Sequence, residues 1–234
     1  MKFTRFFILF SVSSLLYAGE QLTGFPFQNE TLRYNIKLTS GATLGEITIG
    51  ATKGEAASWN FDMSFHAGLP GVPFADTYRS KSSAELCSSE LTREIVHVAK
   101  KVTEKTTFDQ KAKVAERQTL SPAGGGKSQL DLPPCARDAL AYYFYARQEM
   151  GQGRVPQAAK VFLGGGYDVR MDYTGATNIP FNGKSEVTDH VNVYIKGPAS
   201  DLAVEIFYAR DPARTPLLIK VPAPIGKLSL ELVK

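Results

Sequence analysis

Between Ser58 and Phe65 the chain reads Ser-Trp-Asn-Phe-Asp-Met-Ser-Phe, with Trp59, Phe61, Met63 and Phe65 at every second position and polar residues between them. Successive side chains of an extended strand point to opposite faces, so this pattern predicts a strand with one buried and one wet face. Glu30 to Thr39 repeats it, with Leu32, Tyr34, Ile36 and Leu38 on one side and Thr31, Arg33, Asn35 and Lys37 on the other. The same period predicts strands at Leu44–Thr52, Phe74–Ser80, Glu94–Phe108 and Ala112–Leu120. After a gap it resumes at Lys160–Leu163, Tyr167–Tyr173, Ser185–Lys196, Ala203–Ala209, Leu217–Val221 and Leu228–Val233. Turn signals separate them: Ser40-Gly41, Pro70-Gly71, Gly164-Gly165-Gly166, Asn182-Gly183, Gly197-Pro198, Asp211-Pro212 and Pro224-Ile225-Gly226. Ten or more short strands at hairpin spacing predict an antiparallel sheet that must curl or close rather than lie flat.

One segment breaks the alternation. From Cys135 to Met150 apolar residues recur at three- and four-residue intervals (Leu140, Tyr143, Phe144), with Arg147 on the same stripe. Pro133 and Pro134 stand before it, and Gly151 and Gly153 stand where a helix should stop. The reading is one helix near residues 136–150, of about four turns, too aromatic at Tyr142–Tyr145 to be solvated. Such a helix would plug or cap the open side of the curved sheet, either as ordinary core or as a lid over a cavity. Ser121 to Lys127 (SPAGGGK) is expected to be a flexible surface loop leading to that helix.

The 234 residues carry 27 basic and 23 acidic side chains, with 43% hydrophobic and 11% aromatic content. That excludes a disordered or fibrous chain and leaves room for a real core. The expectation is a single β-rich domain over 19–234. A formal charge of +4, scattered along the chain, gives no footprint for nucleic acid.

The first eighteen residues read as an address. Lys2 and Arg5 precede the apolar run Phe6–Tyr17, and small Ala18 and Gly19 follow. As a helix the run would rise only about 18 Å, short of the ~30 Å hydrocarbon core. A secretory signal peptide over 1–18 is therefore the reading, with an uncleaved anchor or interfacial helix as the alternative. Cutting after Ala18 places Leu16 where a small residue is preferred, which leaves the scissile bond open. Its removal takes two basic and no acidic residues, leaving a formal charge of +2. The mature chain is expected to have no transmembrane span and to be periplasmic, or secreted.

Export changes the meaning of Cys87 and Cys135, the two cysteines of the chain. In an oxidising compartment an even count of two allows one intramolecular pairing, and a disulfide is expected. No C-x-x-C motif points to a catalytic dithiol.

Sites for chemistry are few. Gly124-Gly125-Gly126-Lys127-Ser128 lacks the glycine four residues before its Gly-Lys-Ser, and prolines follow where a phosphate-binding helix should begin. No nucleotide is expected. His66, His97 and His190 form no metal-ligand spacing and read as surface or half-buried histidines. No G-x-S-x-G elbow marks a serine hydrolase. Glu85, Glu90, Glu94, Asp109, Asp168, Asp172 and Asp189 are assigned to solvated faces and turns. Arg210 to Pro216 reads as a tight hairpin in which Asp211 bonds nearby backbone N–H groups and local salt bridges form with the flanking arginines, with an anion bound by the two arginines as the alternative. No catalytic residue, cofactor or metal is expected, and the residues lean against an enzyme.

Several short pieces, in order, are similar to a known family. They are Phe25-Pro26-Phe27, Glu30-Thr31-Leu32-Arg33-Tyr34, Thr77-Tyr78-Arg79-Ser80 and Thr107-Phe108-Asp109. Arg137-Asp138-Ala139-Leu140 with Tyr143 and Arg147 follows, then Arg210-Asp211, Thr215-Pro216-Leu217 and Ile225-Gly226 to Glu231-Leu232. Over roughly residues 25 to 234 the chain resembles the bacterial exported family catalogued as domain of unknown function 3108. The resemblance implies fold and compartment, and it brings no catalytic residues.

The predicted architecture is all-β with one central helix: a strongly curved or nearly closed antiparallel sheet or barrel. Its inward rows would include Trp59, Phe61, Phe65, Tyr143 and Phe144, the expected lining for an apolar ligand. The expected function is non-enzymatic binding of a lipid or lipoprotein acyl chain in the cell envelope. A module that assembles with another envelope protein is the second reading, and a hydrolase acting on envelope polymers the third.

Overall fold

The computed structural model describes residues 27, 29–69, 72–97, 100–198, 201–223 and 226–233. The expected signal peptide, Phe25-Pro26, Pro70-Gly71 and Pro224-Ile225 lie outside the described residues. Eight strands come first: β1 (Glu30–Leu38), β2 (Thr43–Lys53), β3 (Trp59–Leu69), β4 (Val72–Ser82), β5 (Ser88–His97), β6 (Lys100–Asp109), β7 (Val114–Ser121) and β8 (Lys127–Asp131). A two-residue strand, β9 (Arg137–Asp138), leads into the helix α1 (Ala139–Gly151). Six more strands follow: β10 (Ala159–Phe162), β11 (Gly166–Phe181), β12 (Lys184–Lys196), β13 (Asp201–Ala209), β14 (Pro216–Ala223) and β15 (Gly226–Val233).

All fifteen belong to one sheet. Its order is β8-β7-β6-β5-β4-β3-β2-β1-β15-β14-β13-β12-β11-β10-β9, so two meanders meet where the first strand pairs antiparallel with the last. The ladder is open, with β8 and β9 at its edges, but it does not lie flat. Bulges break the register at Ile36/Lys37, Lys81/Ser82, Thr103/Glu104, Tyr173/Gly175 and Phe207/Tyr208, and each adds bend to the natural twist. The sheet curls far enough for α1 to touch both halves. Phe144 stacks on Phe61 of β3 with ring centroids 4.4 Å apart, while Tyr142, Ala146 and Met150 pack with Val161, Val191 and Ile206.

Alternation read from the sequence locates most strands, with four differences. Glu94–Phe108 is not one strand but the facing parts of β5 and β6, with the inward positions odd-numbered in β5 and even-numbered in β6. The strand expected at Tyr167–Tyr173 continues to Phe181, because the bulge at Gly175 (φ +123°) shifts the period by one residue and hides the continuation. The loop expected at Ser121–Lys127 does turn the chain at residues 122–126, but it leads into strand β8, hairpin-paired to β7, rather than straight to the helix. The helix begins at Ala139 rather than at 136, because Arg137 and Asp138 are extended and pair parallel with Val161 and Phe162 of β10. Asn182-Gly183 does turn β11 into β12, with φ +49° and +72°, the two positive values that a type I′ hairpin requires.

Candidate functional site

Inward side chains follow from the register. On the helix side Phe61, Ser80, Leu91 and Thr106 form one row across β3 to β6, and Met63, Tyr78, Arg93 and Glu104 form the next. Further from the helix come Phe65, Asp76, Ile95 and Val102, then Ala67, Phe74, His97 and Lys100. Phe61, Ser80, Leu91 and Thr106 are buried, whereas Phe65, Asp76, Ile95, Val102, Ala67 and Phe74 are only half-buried. On the opposite wall Leu228, Leu230 and Val221 are half-buried too. The helix therefore fills one end of the curl and leaves the inner surface of the other end partly uncovered.

Three polar clusters set this geometry. The first holds α1. Arg147 is fully buried, and its Nη1 and Nη2 donate to Glu30 Oε2 and Oε1 at 2.6 and 2.9 Å, a bidentate fork. Its Nε donates to the carbonyls of Ala213 and Arg214, and its guanidinium lies 4.3 Å from the centre of the Phe27 ring. Burial works against the charge, yet Tyr143 and Glu30 outweigh it and hold the group above its ordinary value. Beside it the Tyr34 hydroxyl donates to the Pro216 carbonyl, tying β1 to β14.

The second cluster stitches the free edge of the sheet to β4 and β5. Asp138 Oδ2 accepts from the hydroxyls of Ser80 and Ser88, both at 2.6 Å, and Oδ1 accepts from Leu140 N and Ala141 N to cap the helix. Burial pushes this carboxyl up from its ordinary value against the pull of those four bonds. Ser88 N donates to the Ala136 carbonyl, and the Gln110 amide donates to the carbonyls of Ser88 and Ala136 while accepting from Ala136 N. Cys87 and Cys135 form a disulfide over the same seam, with Cα atoms 4.7 Å apart. Asp138→Ala should lower stability by about 2–4 kcal/mol, since it removes a cap and leaves two buried hydroxyls without their acceptor. A loss below about 1 kcal/mol in urea titration would show that the seam is held without it.

The third lies on the inner face of β5–β7. Arg93 Nε donates to Glu104 Oε2 at 2.6 Å, and the Arg117 guanidinium donates to the Gly164 carbonyl. Gly164 rests directly on the Arg93 guanidinium, and its φ of +69° lies in the left-handed region that favours glycine in the turn between β10 and β11.

Of the residues expected to line a ligand site, Trp59, Phe61 and Phe144 are buried and Phe65 and Tyr143 half-buried, all in one apolar cluster. Phe65 alone of the five belongs to the uncovered rows; Phe61 and Phe144 are stacked on each other. Asp189, expected on a solvated face, is buried instead. Arg210 and Arg214 do not bridge to Asp211 between them but reach across to Asp189, at 2.9 and 2.5 Å. Strand pairing sets Asp189 opposite Tyr208 at the root of that hairpin, closer to the arginines' ends than their own neighbour. Asp211 instead accepts from Thr215 N and Oγ1 within the turn, as the sequence predicts. His66 and His97 are exposed, and His190 is half-buried and stacks on Phe207. Among the described residues no group of three or more His, Cys, Asp or Glu side chains is placed to hold a metal ion, and no helix is long and apolar enough to cross a membrane.

Asp138 as helix cap was detectable beforehand, since an Asp directly before an apolar helical run is a start signal. The partners Ser80, Ser88 and Gln110 carry no such signal, being distant in sequence and ordinary in type.

These features define a barrel-like, curled antiparallel sheet wrapped around one helix. The chain belongs to the family described as protein of unknown function (DUF3108), whose profile matches residues 33–233. No curated protein matches the chain. Among solved structures it is similar to a beta-barrel-like protein of domain of unknown function DUF1849 from Brucella abortus. The two are 9% identical with a TM-score of 0.63, over 90% of this chain and 98% of that one. A crystal structure described as a "putative lipoprotein" from Parabacteroides distasonis also aligns, at 9% identity and a TM-score of 0.34, over 89% of this chain and 95% of that one. The first likeness concerns the fold.

Proposed function

We propose that this is an exported, periplasmic protein, a single domain after removal of residues 1–18, that binds an apolar or amphipathic ligand such as a lipid or a lipoprotein acyl chain inside its curled sheet. The observation that carries the reading is the half-buried inward set at the end away from α1, above all Phe65, Ala67, Phe74, Leu228 and Leu230. Apolar side chains packed into a core lose nearly all their exposure, and those that keep some of it on a concave face offer area that an acyl chain would cover. The short apolar leader supports export, and the disulfide fits an oxidising compartment.

Native mass spectrometry of protein purified from the envelope should reveal a co-purifying lipid, and a fluorescent fatty-acid analogue should bind. Phe65→Lys would set a charge among those side chains and should weaken binding at least about tenfold, a loss of ~1.4 kcal/mol, with the circular dichroism of the fold retained. Unchanged binding by that variant, or no binding by the native chain, refutes the reading.

A specific observation also favours the second reading, a module that assembles with another envelope protein. β10 pairs only with Gly166–Val169, so β11 from Arg170 to Phe181 has no second strand neighbour among the described residues, and Tyr173 and Val187 are exposed on that hairpin. Such an edge can accept a partner's strand.

A further inference from the structure

Resting on the binding reading above, the ligand's polar end can be assigned from the inner wall. The inner surface changes character between β3 and β4: Phe65 and Ala67 face the curl on one side, and their cross-strand partners are Asp76 and Phe74 on the other. The charged and titratable groups around that border are Asp76, Tyr78, Arg93, His97, Lys100 and Glu104. Arg93 and Glu104 satisfy each other through a close ion pair beneath the Gly164 turn. Lys100 and His97 are exposed at the strand ends.

Asp76 is different. Its side chain is 13% exposed and its Oδ1 is shut off from solvent, with no contact of good hydrogen-bond geometry. His97 Nε2 stands 3.0 Å from that oxygen at ion-pair distance, and the Tyr78 hydroxyl gives Oδ2 only a long bond of 3.4 Å. A buried carboxylate oxygen held only by an exposed, poorly aligned imidazole keeps part of its desolvation cost, and a better-placed donor arriving with a ligand removes it. A cationic donor gains the most, because it also meets the charge.

We infer that Asp76 is the headgroup acceptor of this inner face and that the ligand is an amphipath bearing an ammonium group, its apolar chain on Phe65, Ala67 and the facing leucines and its ammonium on Asp76 in place of His97. Arg93 does not oppose the ammonium, since Glu104 neutralises it.

The test uses the mature protein loaded with the neutral probe N-phenyl-1-naphthylamine, displaced by dodecylamine, dodecanol or dodecanoate at neutral pH. Dodecylamine should displace the probe at a concentration at least about tenfold below dodecanoate. Asp76→Asn should abolish that preference while leaving dodecanol unchanged, and His97→Gln, at an exposed site, should widen it by removing the competitor. Equal displacement by all three, or a preference that survives in Asp76→Asn, overturns the headgroup assignment and leaves the cavity reading standing. Failure of the probe and of every twelve-carbon compound to bind overturns both.

Discussion

Arg147→Ala should destabilise the protein by about 3–5 kcal/mol, which makes Arg147 one of its two most sensitive positions. The guanidinium is wholly enclosed, forks onto Glu30 and bridges α1 to β1 and to the turn that follows β13. Truncating it strands a largely buried carboxylate and opens a void next to Phe27 and Phe144. Arg147→Lys should recover little, because one ammonium cannot reproduce two parallel bonds to the carboxylate and two more to carbonyls. Arg147→Met combined with Glu30→Gln should recover most of the loss, since replacing both members of a buried pair avoids the stranded charge. Equilibrium urea unfolding of the four proteins, followed by circular dichroism, measures the series. A cost below about 1 kcal/mol for Arg147→Ala would mean that the pair does not anchor the helix.

Cys87→Ser with Cys135→Ser should cost about 4 kcal/mol, the chain-entropy value for cross-linking positions 48 apart. For a domain of this size that corresponds to a fall in Tm of roughly 8–16 °C in scanning calorimetry. The seam gives this disulfide a second effect. Between β9 and β5 the sheet has one backbone hydrogen bond, side-chain bonds from Asp138 and Gln110, and the sulfur bridge, where a continuous ladder would otherwise stand. Hydrogen exchange in the double variant should therefore rise first at Ser88, Ala136 and Asp138, before β1–β3. Uniform acceleration over the whole sheet would show that the bridge acts through the unfolded chain alone.

Much of this architecture was legible in short windows. Trp59, Phe61, Met63 and Phe65 share a face because a strand offers only two, and Asn182-Gly183 turns because both residues tolerate positive φ. The single possible cysteine pairing likewise needs nothing beyond a count. Where the windows misled, a local rule met a non-local partner. Arg137 falls inside the stretch read as helical, but β10 recruits it, with Asp138, into a ladder. Ser128–Asp131 shows no strand signal of its own until β7 lies beside it.

The candidate site divides in the same way. Periodicity named Phe61, Phe65 and Phe144 as inward, and could not say that two of them stack into a packed core while Phe65 stays half-open. Asp76 was an unremarked acid within a predicted strand. Its burial and its pairing with His97 depend on where β3, β5 and the His97 side chain come to rest.

By itself, then, the order of residues determined the alternating strands and the position of the helix, because each depends on neighbours a few positions apart. The tertiary structure alone decided that β1 meets β15, that Arg147 finds Glu30 across 117 positions, and that the free edge is stitched back onto β5. Those outcomes depend on how far the sheet curls, and curl is the sum of twist and bulges over fifteen strands, a quantity that no single window contains.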